Sequence, residues 1–224
     1  YETKCTDSCH GHQIPLTSAA VIQAAQIREV REHVRATNPN AAFGTEVLND
    51  VMAMQCDYIH TLGGMYNRKN GFIEWFRYTF PEVIFSDRAI YDDTDIERRV
   101  NILLSRGLRS DVDVWRCRGT IADTPHYREY LGQVNAKRKK YSEFLLEGWY
   151  RDTEPIRIDN PAVDARAFES GTRIMVVVTQ SQAPAATVRI QVPGYQLVST
   201  DRIGDSTCRE QNDALEVALK QHAV

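Results

Sequence analysis

Helical and strand-like segments alternate through the first 150 residues, and this alternation constrains the fold more than any other feature of the sequence. Residues 18–37 place apolar side chains at three- and four-residue spacing, as in an amphipathic helix that ends before Pro39. The run AAFGTE at 41–46 then shows no polar alternation, which is typical of a strand covered on both faces. Such alternation predicts a parallel sheet with helices packed outside it.

Two later helices carry clear start and stop signals. Residues 92–107 have an apolar stripe that begins after Asp93 or Thr94, with Gly107 placed as the C-terminal cap. A third helix opens with Thr124 as cap and Pro125 at its first position, and its pattern continues to Gly148. Between the helices we predict a mixed helical segment at 47–64 and strands within 73–86 and 112–121.

The pattern of apolar residues and turn residues changes after residue 152. Short β-branched runs separated by turn residues predict antiparallel strands in a separate β-domain. The predicted strands are TRIMVVVTQ, ATVRIQVPGY, YQLVSTD and ALEVALKQ. We therefore place one domain at 1–152 and a β-sandwich at 153–224, the latter expected to be cut short after the closing QHAV.

Composition excludes several classes of partner. The chain is 42% hydrophobic and 25% charged with a net charge of −3, so it carries no excess of basic residues to attract nucleic acid or an anionic membrane. No apolar run approaches the roughly 18 residues of a membrane span. No dinucleotide or phosphate-binding glycine motif is present, and we predict no cofactor. No export signal is visible at the first residues, and localisation is left open.

One cluster has the side chains of a metal site. Cys5, Cys9, His10 and His12 offer two thiols and two imidazoles to Zn²⁺. Structural zinc sites usually draw their ligand pairs from separated segments, and four ligands within eight residues would strain a tetrahedron. The prediction is that no metal is bound, with a zinc-dependent hydrolase as an alternative.

Several local strings occur in an order that resembles the C-terminal half of barrel-type glycoside hydrolases. The resemblance is to the bacterial family called domain of unknown function 6259, near the α-galactosidase and endo-α-N-acetylgalactosaminidase barrels. The strings are CHGH, GTEVLND, FRYTFPE, NILLSRGLR and KRKKYSEFLLEGWYRD, followed by the β-domain.

The resemblance implies an α/β fold: the fifth to eighth strands of a (β/α)8 TIM-type barrel, followed by an all-β sandwich. It also implies a carbohydrate substrate and hydrolysis of O-glycosyl bonds. The N-terminal half of the same barrel would be the partner of this segment. Relatives of this kind usually have an aspartate nucleophile at the end of the fourth strand, which we expect to lie upstream of Tyr1.

Glu46 is the candidate general acid/base, because it closes a predicted strand and barrel active sites form at the carboxyl ends of strands. The alternative is that Glu46 lies in the first turn of the next helix and complements its dipole. Asp50 follows four residues later, where it can bind a sugar hydroxyl, orient Glu46, or simply cap a helix.

Five further residues are candidates for substrate binding. Asp7, His10 and His12 lie in the opening loop, and loops after barrel strands commonly carry function. Arg77 and Arg118 flank strand candidates and are expected to reach the barrel mouth. For the histidines, a structural role in the loop is an equal alternative.

The tryptophans have flat apolar faces suited to sugar stacking, but their large area favours burial in the core. They are Trp75, Trp115 and Trp149. The sequence thus favours a glycoside hydrolase, with a non-catalytic carbohydrate-binding or interaction protein of the same barrel shape as the alternative.

Overall fold

The structure is a computed structural model that describes most of the chain. The described residues are 8–9, 11, 19–46, 48–61, 72–90, 92–112, 114, 119–180, 185–211, 214–220 and 223–224.

The first half contains a four-stranded parallel sheet, as the alternating pattern predicted. Its strands lie side by side in chain order. They are β1 (Gly44–Glu46), β2 (Tyr58–His60), β3 (Ile84–Ile90) and β4 (Arg109–Val112). Because consecutive parallel strands need a crossover, the connecting segments hold the helices.

Six α-helices accompany these strands in the part of the chain that the structure describes. They are α1 (Ala19–Thr37), α2 (Asp50–Ala53), α3 (Phe72–Thr79), α4 (Ile96–Ser105), α5 (Pro125–Lys140) and α6 (Ser142–Leu145). Among the described residues, no helix combines the length and the apolar character that a membrane crossing requires.

The helix boundaries follow local chemistry. Helix α1 ends two residues before Pro39, and α5 begins at Pro125, both as predicted. Gly107 follows α4 with φ +67°, a left-handed conformation that favours glycine. The cap of α4 is Asp95, and not Asp93 or Thr94 as predicted, whereas Asp93 accepts a hydrogen bond at 2.9 Å from the backbone N–H of Tyr127 in the first turn of α5.

Several predicted elements differ from the structure. The strand predicted within 112–121 lies at Arg109–Val112 as β4, and the helix predicted to continue to Gly148 ends at Lys140 as α5. Residues 72–79, expected to belong to a strand, form α3, because Ile73, Phe76 and Phe80 recur at helical spacing and pack against the sheet. Within the predicted helical segment at 47–64, the described residues 48–61 contain one helical turn, α2, before the chain enters β2.

The β-domain is made of two antiparallel sheets. One sheet has the order β5-β7-β8 and the other the order β10-β11-β9-β6. The strands are β5 (Trp149–Asp152), β6 (Arg157–Ile158), β7 (Val163–Ser170), β8 (Arg173–Gln180), β9 (Ala185–Gln191), β10 (Ser206–Gln211) and β11 (Ala214–Lys220). Three predicted runs contain β8, β9 and β11, whereas residues 195–200 are not a strand and Val198 is exposed. The sheets begin at Trp149, slightly before the predicted boundary at residue 153.

Three apolar cores hold the molecule together. Ile59, Phe85 and Leu103 lie in the core between the parallel sheet and its helices. A second core lies inside the β-domain. The third joins the two parts, since Tyr127 of α5 and Phe168 of β7 are fully buried in one cluster. The β-domain is therefore packed directly against the helices of the first half.

Candidate active site

Glu46 is the last residue of β1, at the carboxyl end of the parallel sheet. The cap of the next helix is a different residue: Asn49 Oδ1 accepts a hydrogen bond from Met52 N at 2.8 Å. Helix α2 starts only at Asp50, so Glu46 lies outside its first turn. The helix-cap interpretation of Glu46 is therefore wrong, and its carboxylate, with a side chain 61% exposed, lies at a strand end.

Asp50 has a local role in the structure. Its Oδ1 accepts a hydrogen bond from the backbone N–H of Val51 at 2.9 Å, and the residue is exposed in the first turn of α2. An acidic side chain at this point complements the positive end of the helix dipole.

The strand register brings polar side chains into one row. Glu46 lies opposite His60, and His60 lies opposite Ser86. Residues that face each other in parallel strands point to the same side of the sheet. The hydroxyls of Tyr58 and Ser86 also meet at 2.5 Å on this side. The row therefore crosses three neighbouring strands.

His60 connects Glu46 to a carboxylate on the far strand of the sheet. Its Nδ1 lies 3.9 Å from Glu46 Oε1, and its Nε2 lies 3.1 Å from Asp111 Oδ2. The imidazole is only 4% exposed, whereas Asp111 is one-third exposed. Nε2 makes no hydrogen bond within the described part of the chain, and 3.9 Å exceeds hydrogen-bond distance, so His60 is a buried polar ring close to two carboxylates.

A buried hydrogen bond between Thr61 and Asp87 lies close to the row of polar side chains. Thr61 Oγ1 donates to Asp87 Oδ1 at 2.5 Å and lies 2.9 Å from the backbone oxygen of Ser86. Asp87 is fully buried. Because a buried carboxylate needs such donors, this pair fixes the ends of β2 and β3 against each other.

Gly44 allows the strands to approach closely at the site. A Cβ at this position would lie 2.6 Å from Cδ1 of Tyr58. The ring of Tyr58 therefore packs over the backbone of β1, which places its hydroxyl beside Ser86.

Several predicted site residues lie outside the described residues. They are Asp7, His10, His12 and Arg118, and Cys5 of the candidate zinc cluster is also among them. Within the described ranges, no group of three or more His, Cys, Asp or Glu is arranged to hold a metal ion.

Arg77 does not lie where the sequence placed it. It is on α3, and its guanidinium carbon lies 5.7 Å from the centre of the Tyr150 ring in the β-domain. The strand interpretation failed because the large apolar residues around Arg77 form one face of a helix. Arg77 is a buried residue of the contact between α3 and β5, so its prediction as a sugar ligand at the barrel mouth is withdrawn.

The prediction that tryptophans are buried is wrong for the two that are described. Trp75 is 75% exposed and Trp149 is 61% exposed. Trp75 lies on the solvent face of α3, and Trp149 on the face of β5 opposite to the buried Tyr150. Both rings are accessible.

Sequence reasoning missed His60 and Asp111. Each is a polar residue at or near the end of a short strand, which is the same signal that identified Glu46. The sequence pattern places His60 in a helical segment and Asp111 just before a predicted strand, so it does not associate either residue with Glu46. The strand register pairs Glu46 with His60, and the distance from His60 to Asp111 adds the third residue.

No family model and no curated protein matches the sequence. Solved structures do match the fold. A noncanonic maltogenic α-amylase, AmyB from Thermotoga neapolitana, has a TM-score of 0.57 and 13% identity, with 90% of this chain and 57% of that chain covered. A cyclomaltodextrinase has a TM-score of 0.58 and 12% identity, with coverage of 87% and 41%. An α-amylase from H. orenii has a TM-score of 0.56 and 9% identity, with coverage of 93% and 57%.

The chain thus spans about half the length of the structures it matches. At these identities the similarity concerns the fold. The chain is similar in fold to glycoside hydrolases of the α-amylase type.

Proposed function

We propose that this chain is part of a glycoside hydrolase and that Glu46 is its general acid/base. The observation that carries the proposal is the position of Glu46 at the carboxyl end of β1, in a row with His60 and near Asp111, within an amylase-like fold. Active sites of barrel enzymes are built at this end of the strands. The finer resemblance to the domain of unknown function 6259 family remains part of this proposal.

The chemistry requires two carboxyl groups. One protonates the glycosidic oxygen as the bond breaks, and the other attacks the sugar carbon or activates water. Glu46 is suited to the first role, because its side chain is accessible to a substrate and contacts a buried imidazole. We assign the second role to an aspartate of the segment that completes the barrel.

The partner in this proposal is the N-terminal half of the same barrel. Among the described strands, β1 pairs on one side only, with β2. Helix α1 beside it exposes Ile22, Val30 and Val34, all apolar. An open strand edge next to an apolar helix face is a surface that a further β/α unit can cover. The aligned region covers 57% of two of the matched structures, so each of them contains chain beyond it.

The test is hydrolysis by the parent protein that contains both halves. A panel of aryl α- and β-glycosides is assayed with wild type, Glu46→Gln and Glu82→Gln. Glu82 is an exposed glutamate that precedes β3, so it lies at the amino end of a strand of the same sheet and serves as the matched control. We expect Glu46→Gln to lower kcat by about a thousandfold, as for an essential acid/base, and Glu82→Gln to have no effect. Equal activity in all three proteins would remove Glu46 from the mechanism.

A second function is favoured by the exposed tryptophans. Trp75 and Trp149 offer accessible aromatic faces, which suit sugar stacking in a non-catalytic carbohydrate-binding protein. If the parent protein hydrolyses none of the glycosides but binds oligosaccharides, and Trp75→Ala or Trp149→Ala weakens that binding, the binding function is the correct one.

A further inference from the structure

We propose that Arg77, Arg109 and Arg138 form a binding site for an oxyanion such as a phosphate, a sulfate or a carboxylate. The three arginines come from α3, β4 and α5, and they are grouped around the start of β4. None of them takes part in the proposed glycoside hydrolysis, so this inference does not depend on the proposed function.

The side chains of Arg77 and Arg138 converge on the residues that precede Arg109. Arg77 Nη2 lies 3.2 Å from the position that a Cβ would occupy on Gly107. Arg138 Nη2 donates a hydrogen bond at 2.6 Å to the backbone oxygen of Leu108. Two guanidiniums are therefore held beside the stretch of backbone from which the side chain of Arg109 begins.

Two of these side chains are almost inaccessible to water. Arg77 is 8% exposed and Arg138 is 7% exposed, whereas Arg109 is half-buried. Arginines are rarely buried to this extent without a paired charge, because the loss of hydration has to be offset by a group of opposite charge. Arg109 is the member of the group that a ligand can reach.

Within the described part of the chain, the three arginines contact neutral oxygens and an aromatic ring but form no ion pair with a carboxylate. Arg77 lies over the Tyr150 ring, and its Nε is buried without a hydrogen-bond acceptor. Arg109 Nη1 lies 3.4 Å from the backbone oxygen of Leu145. Arg138 donates to one backbone oxygen and one amide oxygen. Their positive charge is therefore left without a compensating negative charge.

The three charges also oppose one another. The pKa of Arg77 and the pKa of Arg138 are each lowered to about 10, chiefly by burial and in part by the charge of Arg109. Burial likewise lowers the pKa of Arg109. All three stay protonated at neutral pH, and a bound anion would favour their charged forms.

Guanidinium groups favour an oxyanion as the ligand. Each presents N–H donors in a planar fork that fits two oxygens of a carboxylate, a phosphate or a sulfate. Among the described strands, β4 pairs on one side only, with β3, so the start of β4 lies at an open edge of the sheet. An anion can approach Arg109 there, either as a free ion or as a carboxylate side chain of a further β/α unit.

The test is phosphate binding by the 224-residue chain. Tm is measured at neutral pH and constant ionic strength while sodium chloride is replaced by low millimolar phosphate. We expect a saturable rise in Tm of about 3–6 °C when phosphate reaches about ten times its Kd. Isothermal titration calorimetry of the wild type measures the same binding and needs no variant to fold. Absence of saturable binding in both measurements would overturn the proposal.

Arg109→Met and Arg209→Met form a matched pair of variants. Arg109→Met removes the accessible member of the group and should abolish the rise in Tm. Arg209 is an exposed arginine of β10 that pairs with Glu216 at 2.6 Å, so Arg209→Met should preserve the rise. An equal rise in both variants would show that phosphate acts as a general stabilising salt, and the proposal would be wrong.

The parent protein distinguishes the two sources of the oxyanion. If the ligand is a free ion, the parent protein and the 224-residue chain should both bind phosphate in a saturable way. If a carboxylate side chain of the remaining part of the barrel fills the site, the 224-residue chain should bind phosphate and the parent protein should not. Either result supports the oxyanion site.

Discussion

Arg106 Nη1 lies 2.9 Å from Asp164 Oδ2. This ion pair connects the C-terminal end of helix α4, in the first half of the chain, to strand β7 of the β-domain. The same guanidinium donates from Nε to Glu74 Oε1 of α3 at 2.9 Å. Arg166 extends the network, because it contacts Asp164 at 2.7 Å and Asp152 at 2.8 Å. The two parts of the chain are thus joined by charges as well as by the apolar core they share.

Replacing Arg106 with Met should strongly destabilise the chain. Burial opposes the charged form of Arg106, but Asp164 and Glu74 outweigh burial and raise its pKa. Without the guanidinium, the buried Glu74 loses this partner. Breaking one side of a buried ion pair typically costs about 3–5 kcal/mol. Urea unfolding at neutral pH measures the loss in the free energy of unfolding.

Arg77→Met is the matched control for this prediction. Burial lowers the pKa of Arg77 to about 10, and its guanidinium lies over the Tyr150 ring. A methionine keeps the apolar stem and removes a desolvated charge, so we expect a change within about 1 kcal/mol. If both variants lost the same free energy, side-chain packing and not ion pairing would account for the effect of Arg106.

Asp57 should make stability depend on acidic pH. Its carboxylate accepts hydrogen bonds from Phe43 N, Arg31 and Arg35, each at 2.9 Å. Burial alone would raise the pKa of Asp57, but the Phe43 N–H and the two arginines outweigh it and hold the pKa below its usual 3.8. A carboxyl whose pKa is lowered on folding stabilises the fold above its unfolded pKa, and that contribution is lost as the pH falls.

The variant Asp57→Asn tests this pH dependence. We expect it to lose about 1 kcal/mol at pH 7, since the contacts are only partly buried. The difference between wild type and variant should shrink as the pH is lowered from about 5 to about 3, because the carboxyl of the unfolded wild type takes up its proton before that of the folded protein. A difference that stayed constant over this interval, measured by urea unfolding at each pH, would contradict the assignment.

The parts of the fold that depend on local chemistry could be predicted from the sequence. Pro125 at the start of α5 and Gly107 after α4 are fixed by their own backbone preferences. Helix α3 is missed although Ile73, Phe76 and Phe80 recur at helical spacing, because exposed Trp75 and Tyr78 make the whole segment as apolar as a buried strand. Local patterns thus failed where large aromatic side chains face solvent.

The candidate site was predicted only in part for a different reason. Glu46 could be found from its position after a short apolar run. Its association with His60 and Asp111 depends on the register of strands separated by long connections, which no local pattern encodes. A site whose residues come from several strands of a parallel sheet can be recognised only once the order and register of those strands are known.

Gly44→Ala should disturb the candidate site while a second glycine substitution stabilises the chain. An added Cβ at Gly44 would lie 2.6 Å from the Tyr58 ring, which must move and release the contact between its hydroxyl and Ser86. Overpacking of this kind costs about 1–3 kcal/mol. Gly132 of α5 has open space around its Cβ position, so Gly132→Ala should stabilise by about 0.5–1 kcal/mol through its better helix propensity. Thermal unfolding measures both effects. If Tyr58 is packed over β1, Tm should fall in Gly44→Ala and rise in Gly132→Ala. A Gly44→Ala protein as stable as wild type would show that the Tyr58 ring moves aside without cost.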